Sequence, residues 1–163
     1  VEKEYNGMNK VLIPSPKVAT YDMKPRMSAR EVTDKVLEEI EKDIYDVIIL
    51  NYANGDMVGH TGSYEASKIA IEYLDICLER LYSAISARDG VMLITADHGN
   101  CELMWDENNE VVTSHTTNLV PFIVTKKDIT LNDGSLCDIA PTMLDLLNLD
   151  IPSEMTGKSL INK

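Results

Sequence analysis

Residues 91–99 read Val91-Met-Leu-Ile-Thr-Ala-Asp-His-Gly99. A short apolar run of this kind predicts a strand that is buried on both faces, and such strands favour a parallel sheet. The predicted strand leads directly into an aspartate, a histidine and a glycine. Because ligands of open α/β sheets bind outside the carboxyl ends of the strands, we expect this stretch to carry functional side chains.

The rest of the chain alternates in the same way between apolar runs and segments with helical spacing. Strands are predicted at 10–13, 46–52, 91–95 and 121–125, with a hairpin of 103–105 and 111–113. Helices are predicted at about 29–42, 64–87 and 139–147. Ser28 and Glu31 form the pattern of a capping box for the first helix, and Asp138 is the expected cap of the last. This order predicts an α/β fold with a mainly parallel sheet flanked by helices, in one domain over residues 1–163.

The composition narrows the classes of function. The chain has a formal net charge of −12, which argues against nucleic acid and against an anionic membrane surface as partners. No apolar run reaches the ~20 residues that a membrane-spanning helix needs. Cys77, Cys101 and Cys137 are widely spaced and odd in number, so we expect reduced thiols and a cytoplasmic protein.

All three histidines lie in motifs that suit metal ions. Asp56 and His60 are four residues apart after the predicted strand 46–52, so one helical turn would put both on one face. His115 would have to reach the same cation from a separate loop. Carboxylate and imidazole ligands suit a borderline divalent metal such as manganese or zinc.

The second motif is Asp97-His98-Gly99. Adjacent side chains in a straight strand point to opposite faces, but a turn loosened by Gly99 would let Asp97 and His98 converge on a second cation. Two cations a few ångströms apart form a clamp for phosphoryl transfer. Ser63 and Ser114 lie beside these candidates without the surroundings of a nucleophile elbow, so we interpret them as turn or supporting hydroxyls.

Four stretches together resemble the cofactor-independent (2,3-bisphosphoglycerate-independent) phosphoglycerate mutases of the alkaline-phosphatase-like superfamily. They are Pro14-Ser-Pro-Lys-Val-Ala-Thr-Tyr-Asp22, Asn51-Tyr-Ala-Asn-Gly-Asp-Met-Val-Gly-His-Thr-Gly62, Thr95-Ala-Asp-His-Gly-Asn-Cys-Glu102 and Ser114-His-Thr-Thr-Asn-Leu-Val-Pro121. The resemblance covers essentially the whole chain.

This resemblance implies a function and a ligand set. The family interconverts 3-phosphoglycerate and 2-phosphoglycerate in glycolysis through a phosphoserine, with two divalent ions, commonly Mn²⁺. By motif match, Asp56, His60 and His115 would hold the first ion, and Asp97 and His98 would contribute to the second.

The resemblance also implies that parts of such an enzyme lie outside these residues. The family is about three times as long as this chain; its serine nucleophile and a further aspartate ligand belong to an N-terminal segment, and an inserted domain holds the substrate. We therefore expect residues 1–163 to be the C-terminal part of an incomplete phosphatase-like domain. Alone, it should bind one divalent cation well and a second weakly, and be inactive. Its substrate-binding residues remain unknown.

Two other interpretations stay open at this point. The chain could belong to a phosphohydrolase or phosphopentomutase of the same superfamily. It could also be a non-catalytic metal-binding or scaffolding domain.

Overall fold

The computed structural model describes residues 5–162, which combine helices with a small sheet. The helices are α1 (Ala29–Glu41), α2 (Asn54–Gly59), α3 (Tyr64–Ser86) and α4 (Ile139–Leu146), with short 3₁₀ helices at Tyr21–Met23 and Leu136–Asp138. The strands are β1 (Leu93–Thr95) and β2 (Phe122–Val124). The α/β class predicted from the sequence is confirmed.

The chain is divided into two compact units. The first contains the residues up to Gly90 together with His98–Val120, and the second contains Val91–Asp97 and Pro121–Lys163. In the first unit, α3 packs against α1 and α2. Its core joins the loop before α1 to one face of α2 and α3, through Met27, Val58, Ala66 and Ala70.

The second unit is built around the strand pair and α4. β1 and β2 are antiparallel, with Ile94 opposite Ile123. Thr142 of α4 is fully buried; its hydroxyl donates to the Asp138 carbonyl at 2.7 Å and accepts from the Leu160 N–H at 3.0 Å. This hydroxyl therefore joins α4 to the segment near the end of the chain.

The predicted helices agree closely with the structure, but two capping predictions differ from it. Ser28 precedes α1 without capping it, because its hydroxyl donates to the Pro14 carbonyl at 2.8 Å instead. The predicted capping box is therefore wrong. Asp138 does precede α4, but its carboxylate accepts from the Ser135 N–H and the Lys158 N–H, each at 2.8 Å.

The predicted sheet differs more. The pairing present between β1 and β2 is antiparallel, not the expected parallel arrangement. Residues 10–13 and 46–52, all of them described, form no strand, and Ile49 is 85% exposed. A strand exists only when it pairs with a neighbouring strand, and within residues 5–162 neither run is part of a strand pair. The predicted hairpin is reduced to a single antiparallel bridge between Trp105 and Val111.

All three cysteines are free thiols, as predicted. Among the helices of residues 5–162, none combines the length and the apolar character that crossing a bilayer requires.

Candidate metal centre

The centre is built on α2. Asp56 lies in the first turn of this helix, and His60 caps its C-terminus. The four-residue spacing brings His60 Nε2 to 3.0 Å from Asp56 Oδ1, as one helical turn allows. The predicted helical turn and the predicted proximity of these two side chains are both present.

Two further imidazoles approach the same carboxylate oxygen from other segments. His115 Nε2 lies 3.0 Å from Asp56 Oδ1, and His98 Nε2 lies 3.8 Å from it. The His98 and His115 rings are stacked with their centroids 3.7 Å apart. Asp56, His98 and His115 each offer a ligand atom within 4.8 Å of the others, a spacing suited to one ion.

The ring of His60 is oriented through its other nitrogen. His60 Nδ1 lies 2.6 Å from the Thr113 carbonyl oxygen, an acceptor, so Nδ1 carries the proton of this hydrogen bond. In the neutral ring, Nε2 then presents a lone pair. That lone pair faces Asp56 Oδ1 at 3.0 Å and His115 Nε2 at 3.1 Å.

This arrangement requires a proton or a cation between the acceptors. Lone pairs on two imidazoles and a carboxylate repel one another at 3 Å unless a proton or a cation lies between them. A backbone carbonyl on the outer nitrogen of a histidine is also the usual support of a metal ligand. The donor set of this structure therefore fits a divalent cation. Exposed side-chain fractions of 28–51% for the three histidines leave the centre open to one.

Asn100 fixes the carboxylate from the side. Its buried amide donates to Asp56 Oδ1 at 2.9 Å. Asn100 directly follows the Asp-His-Gly motif, but the sequence alone indicates no role for it. Asn100 is 44 residues away from Asp56 along the chain. Its hydrogen bond to the carboxylate could therefore be inferred only once the fold was known to bring the two together.

Glu102 is a second residue for which the sequence alone indicates no role. Its carboxylate accepts from the Asn100 N–H at 2.6 Å, from the Asn118 amide at 3.0 Å, and from the Thr116 hydroxyl through a short hydrogen bond. Burial alone would raise the pKa of Glu102, but the hydrogen bonds, that of Thr116 foremost, lower it below its usual value. The group is therefore an anion that only accepts hydrogen bonds.

Close packing holds α2 against the segment after His98. A β-carbon on Gly59 would lie 2.8 Å from Cγ of Asn100 and 3.0 Å from Sγ of Cys101. The Cys101 thiol donates to the Gly55 carbonyl at 2.7 Å, and burial raises the pKa of this thiol. Only glycine lets the helix approach this closely.

The remaining predicted site residues have other positions. Asp97 is exposed in the bend that follows β1 and belongs to the second compact unit, whereas the four residues around Asp56 Oδ1 belong to the first. Ser63 caps α3, with its hydroxyl accepting from the Ala66 N–H. Ser114 is exposed in the loop that carries His115.

An α/β fold in which a carboxylate and several imidazoles converge on one point is typical of a metal-binding protein. The chain belongs to the metalloenzyme superfamily, whose family model matches residues 1–151.

Three of the similar proteins are phosphoglycerate mutases. The 2,3-bisphosphoglycerate-independent phosphoglycerate mutase of Acetivibrio thermocellus is 61% identical over 100% of this chain and 32% of its own length. The enzyme of that name from Francisella tularensis is 54% identical over 99% of this chain and 32% of its length. A crystal structure of Leishmania mexicana phosphoglycerate mutase at low cobalt concentration matches with a TM-score of 0.83 and 31% identity, over 92% of this chain and 31% of that one. The chain thus spans about a third of the length of the curated relatives it matches.

Proposed function

We propose that this chain is the metal-binding part of a cofactor-independent phosphoglycerate mutase, an isomerase that interconverts 3-phosphoglycerate and 2-phosphoglycerate. The observation that carries the proposal is the convergence of two imidazole nitrogens on Asp56 Oδ1 at 3.0 Å, with a third at 3.8 Å. It occurs in a chain that is 61% identical, over its whole length, to a protein of that name.

In this proposal Asp56, His60 and His115 hold one divalent ion, and Asp97 and His98 contribute to a second. His98 lies near the first set, 3.8 Å from Asp56 Oδ1, so an ion that it holds would neighbour the first. When bound, the ions, which by resemblance to the family are Mn²⁺, supply the positive charge that a transferring phosphoryl group requires.

The residues of this chain then have defined tasks. The Thr113 carbonyl holds the proton of His60 Nδ1 and so directs Nε2 inward. Asn100 holds the carboxylate of Asp56 in one orientation. The serine that takes up the phosphoryl group and returns it to the other hydroxyl of the glycerate belongs, in this proposal, to chain outside these 163 residues. The same proposal assigns the inserted substrate-binding domain to that outside chain.

The enzyme would act in the cytoplasm, as a step of glycolysis, and residues 1–163 alone would bind metal without catalysis.

A chimera tests this function directly. The matching third of the Acetivibrio thermocellus relative is replaced by residues 1–163, and conversion of 3-phosphoglycerate to 2-phosphoglycerate is followed. We expect activity that is lost on chelation and restored by Mn²⁺, and lost in the same chimera carrying His60→Ala.

Measurement of inorganic phosphate separates this proposal from a phosphohydrolase. A folded chimera that releases phosphate without forming 2-phosphoglycerate would favour the hydrolase. A folded chimera that binds Mn²⁺ but performs neither reaction would contradict the proposed function.

A further inference from the structure

Glu102 connects the two segments that carry His98 and His115. One carboxylate oxygen accepts the Asn100 N–H, two residues after His98. The other accepts the hydroxyl of Thr116, the residue next to His115, and the Asn118 amide at 3.0 Å. A single side chain thus joins the turn after β1 to the loop of residues 113–118.

The backbone joins the same two segments at the same place. Thr116 N–H donates to the Gly99 carbonyl at 2.9 Å, and the two residues form an isolated antiparallel bridge. One bridge is a weak constraint, because a ladder gains its rigidity from several successive pairs. The carboxylate adds two more hydrogen bonds across this single pair, from Thr116 and Asn118, and a third within its own segment, from the Asn100 N–H.

The absence of a side chain at Gly99 leaves room for this carboxylate. A β-carbon there would collide with Thr116 Oγ1 and with the carboxylate of Glu102, whose Cδ would be 2.9 Å away. The glycine is thus required by the hydrogen bonds of Glu102, and not by a positive φ.

The hydrogen bonds of Glu102 affect the positions of the candidate ligands in two ways. They set the separation of the segments whose histidine rings stack at 3.7 Å. They also hold the backbone of Asn100, whose amide donates to Asp56 Oδ1 at 2.9 Å. Glu102 itself is not among the residues whose ligand atoms converge on one point.

We propose that Glu102 is a positioning residue, which sets His98, His115 and Asp56 in register for the cation by clamping the 98–101 turn to the 113–118 loop. Its role for the cation rests on the proposed function, whereas its effect on the two histidine rings does not. Supporting residues of this kind typically change metal affinity by about 10–100-fold when they are replaced.

The test compares Glu102→Gln with Glu107→Gln in the 163-residue chain. Both variants remove one negative charge from an exposed position after Asn100, but only Glu102 accepts the hydrogen bonds from Asn100, Thr116 and Asn118. Glutamine keeps the shape of the side chain and turns one of the two acceptor oxygens into a donor that faces donors.

Two measurements are made on each variant. Histidine side-chain NMR without metal reports the placement of the His98 and His115 rings, and calorimetry reports the Mn²⁺ dissociation constant. We expect Glu102→Gln to shift both sets of ring signals and to weaken Mn²⁺ binding by about 10-fold or more. Glu107→Gln should leave the ring signals in place and the dissociation constant within about twofold of the wild type.

Unchanged ring signals, or a dissociation constant equal to that of Glu107→Gln, would overturn the proposal. If Glu102→Gln does not fold, Thr116→Val carries the same test with Thr117→Val as its control, since it removes one donor of the clamp without changing charge. A wild-type chain that binds no Mn²⁺ would defeat the proposed metal site, and the ring signals would still decide whether Glu102 positions the histidines.

Discussion

At the scale of single residues, His60 is held at both nitrogens of its ring. Nδ1 donates to the Thr113 carbonyl at 2.6 Å, and Nε2 faces Asp56 Oδ1 at 3.0 Å and His115 Nε2 at 3.1 Å. The first contact stabilises the ring orientation, whereas the second set is favourable only when a proton or a cation lies between the acceptors. The side chain is therefore arranged for binding more than for the stability of the fold.

Replacement of His60 by alanine separates these two contributions. We expect Mn²⁺ affinity to fall by more than about 10-fold, because a direct ligand should matter at least as much as a supporting residue. Without metal, the lost hydrogen bond to Thr113 should cost no more than about 1 kcal/mol. Calorimetry and urea unfolding measure the two effects. A large loss of stability with unchanged Mn²⁺ affinity would contradict this assignment.

At the scale of elements, the helices follow from local sequence and the sheet does not. α3 was predicted to within one residue because its apolar positions recur every three to four residues. The apolar run 46–52 has the composition of a buried strand, but strand formation depends on a distant partner that local composition does not reveal.

In the candidate site, likewise, some contacts follow from local sequence and others do not. The pairing of Asp56 with His60 was predictable from the four-residue spacing, because one helical turn determines it. The contacts of Asn100 with Asp56 and of Glu102 with Thr116 join segments 44 and 14 residues apart. No spacing rule predicts hydrogen bonds between loops, so these supporting residues became visible only in the structure.

α4 offers a test of how one element is attached to its unit. Thr142→Val keeps the shape of the side chain but leaves the buried Leu160 N–H without its acceptor. An unsatisfied buried donor costs about 1–3 kcal/mol, and we expect a loss of this size in the free energy of unfolding. Urea denaturation measures it, with Thr117→Val at an exposed position as the control. Equal stability of the two variants would contradict the role of this hydroxyl.

At the scale of the whole molecule, the net charge of −12 makes each organised acidic group relevant to pH stability. Glu39 is 9% exposed and contacts Lys42 Nζ at 2.6 Å and Lys35 Nζ at 3.0 Å. Hydrogen bonds from Lys42 and then Lys35 lower the pKa of Glu39 from 4.5 to about 2. Because the folded pKa lies below the unfolded one, Glu39 stabilises the fold above pH 4.5 and loses this effect as the pH falls towards 2.

Thermal unfolding of the wild type and of Glu39→Gln between pH 7 and pH 3 checks this contribution. We expect the wild type to have the higher melting temperature at pH 7, and the difference to narrow once the pH falls below about 4.5. Lys42→Met should reduce the same difference at pH 7, because it removes the larger of the two hydrogen bonds. A difference that stays constant across the range, or that widens in acid, would be inconsistent with the lowered pKa.

The central claim is that Asp56 Oδ1 and the imidazoles around it form a divalent metal site. Titration of the 163-residue chain with Mn²⁺ by calorimetry near neutral pH, alongside Asp56→Asn, tests it most directly. We expect saturable binding to the wild type that is lost in the variant, because asparagine keeps the shape of the side chain but removes its negative charge. A folded wild-type chain that binds no Mn²⁺, or an Asp56→Asn variant that binds it equally well, would contradict the claim.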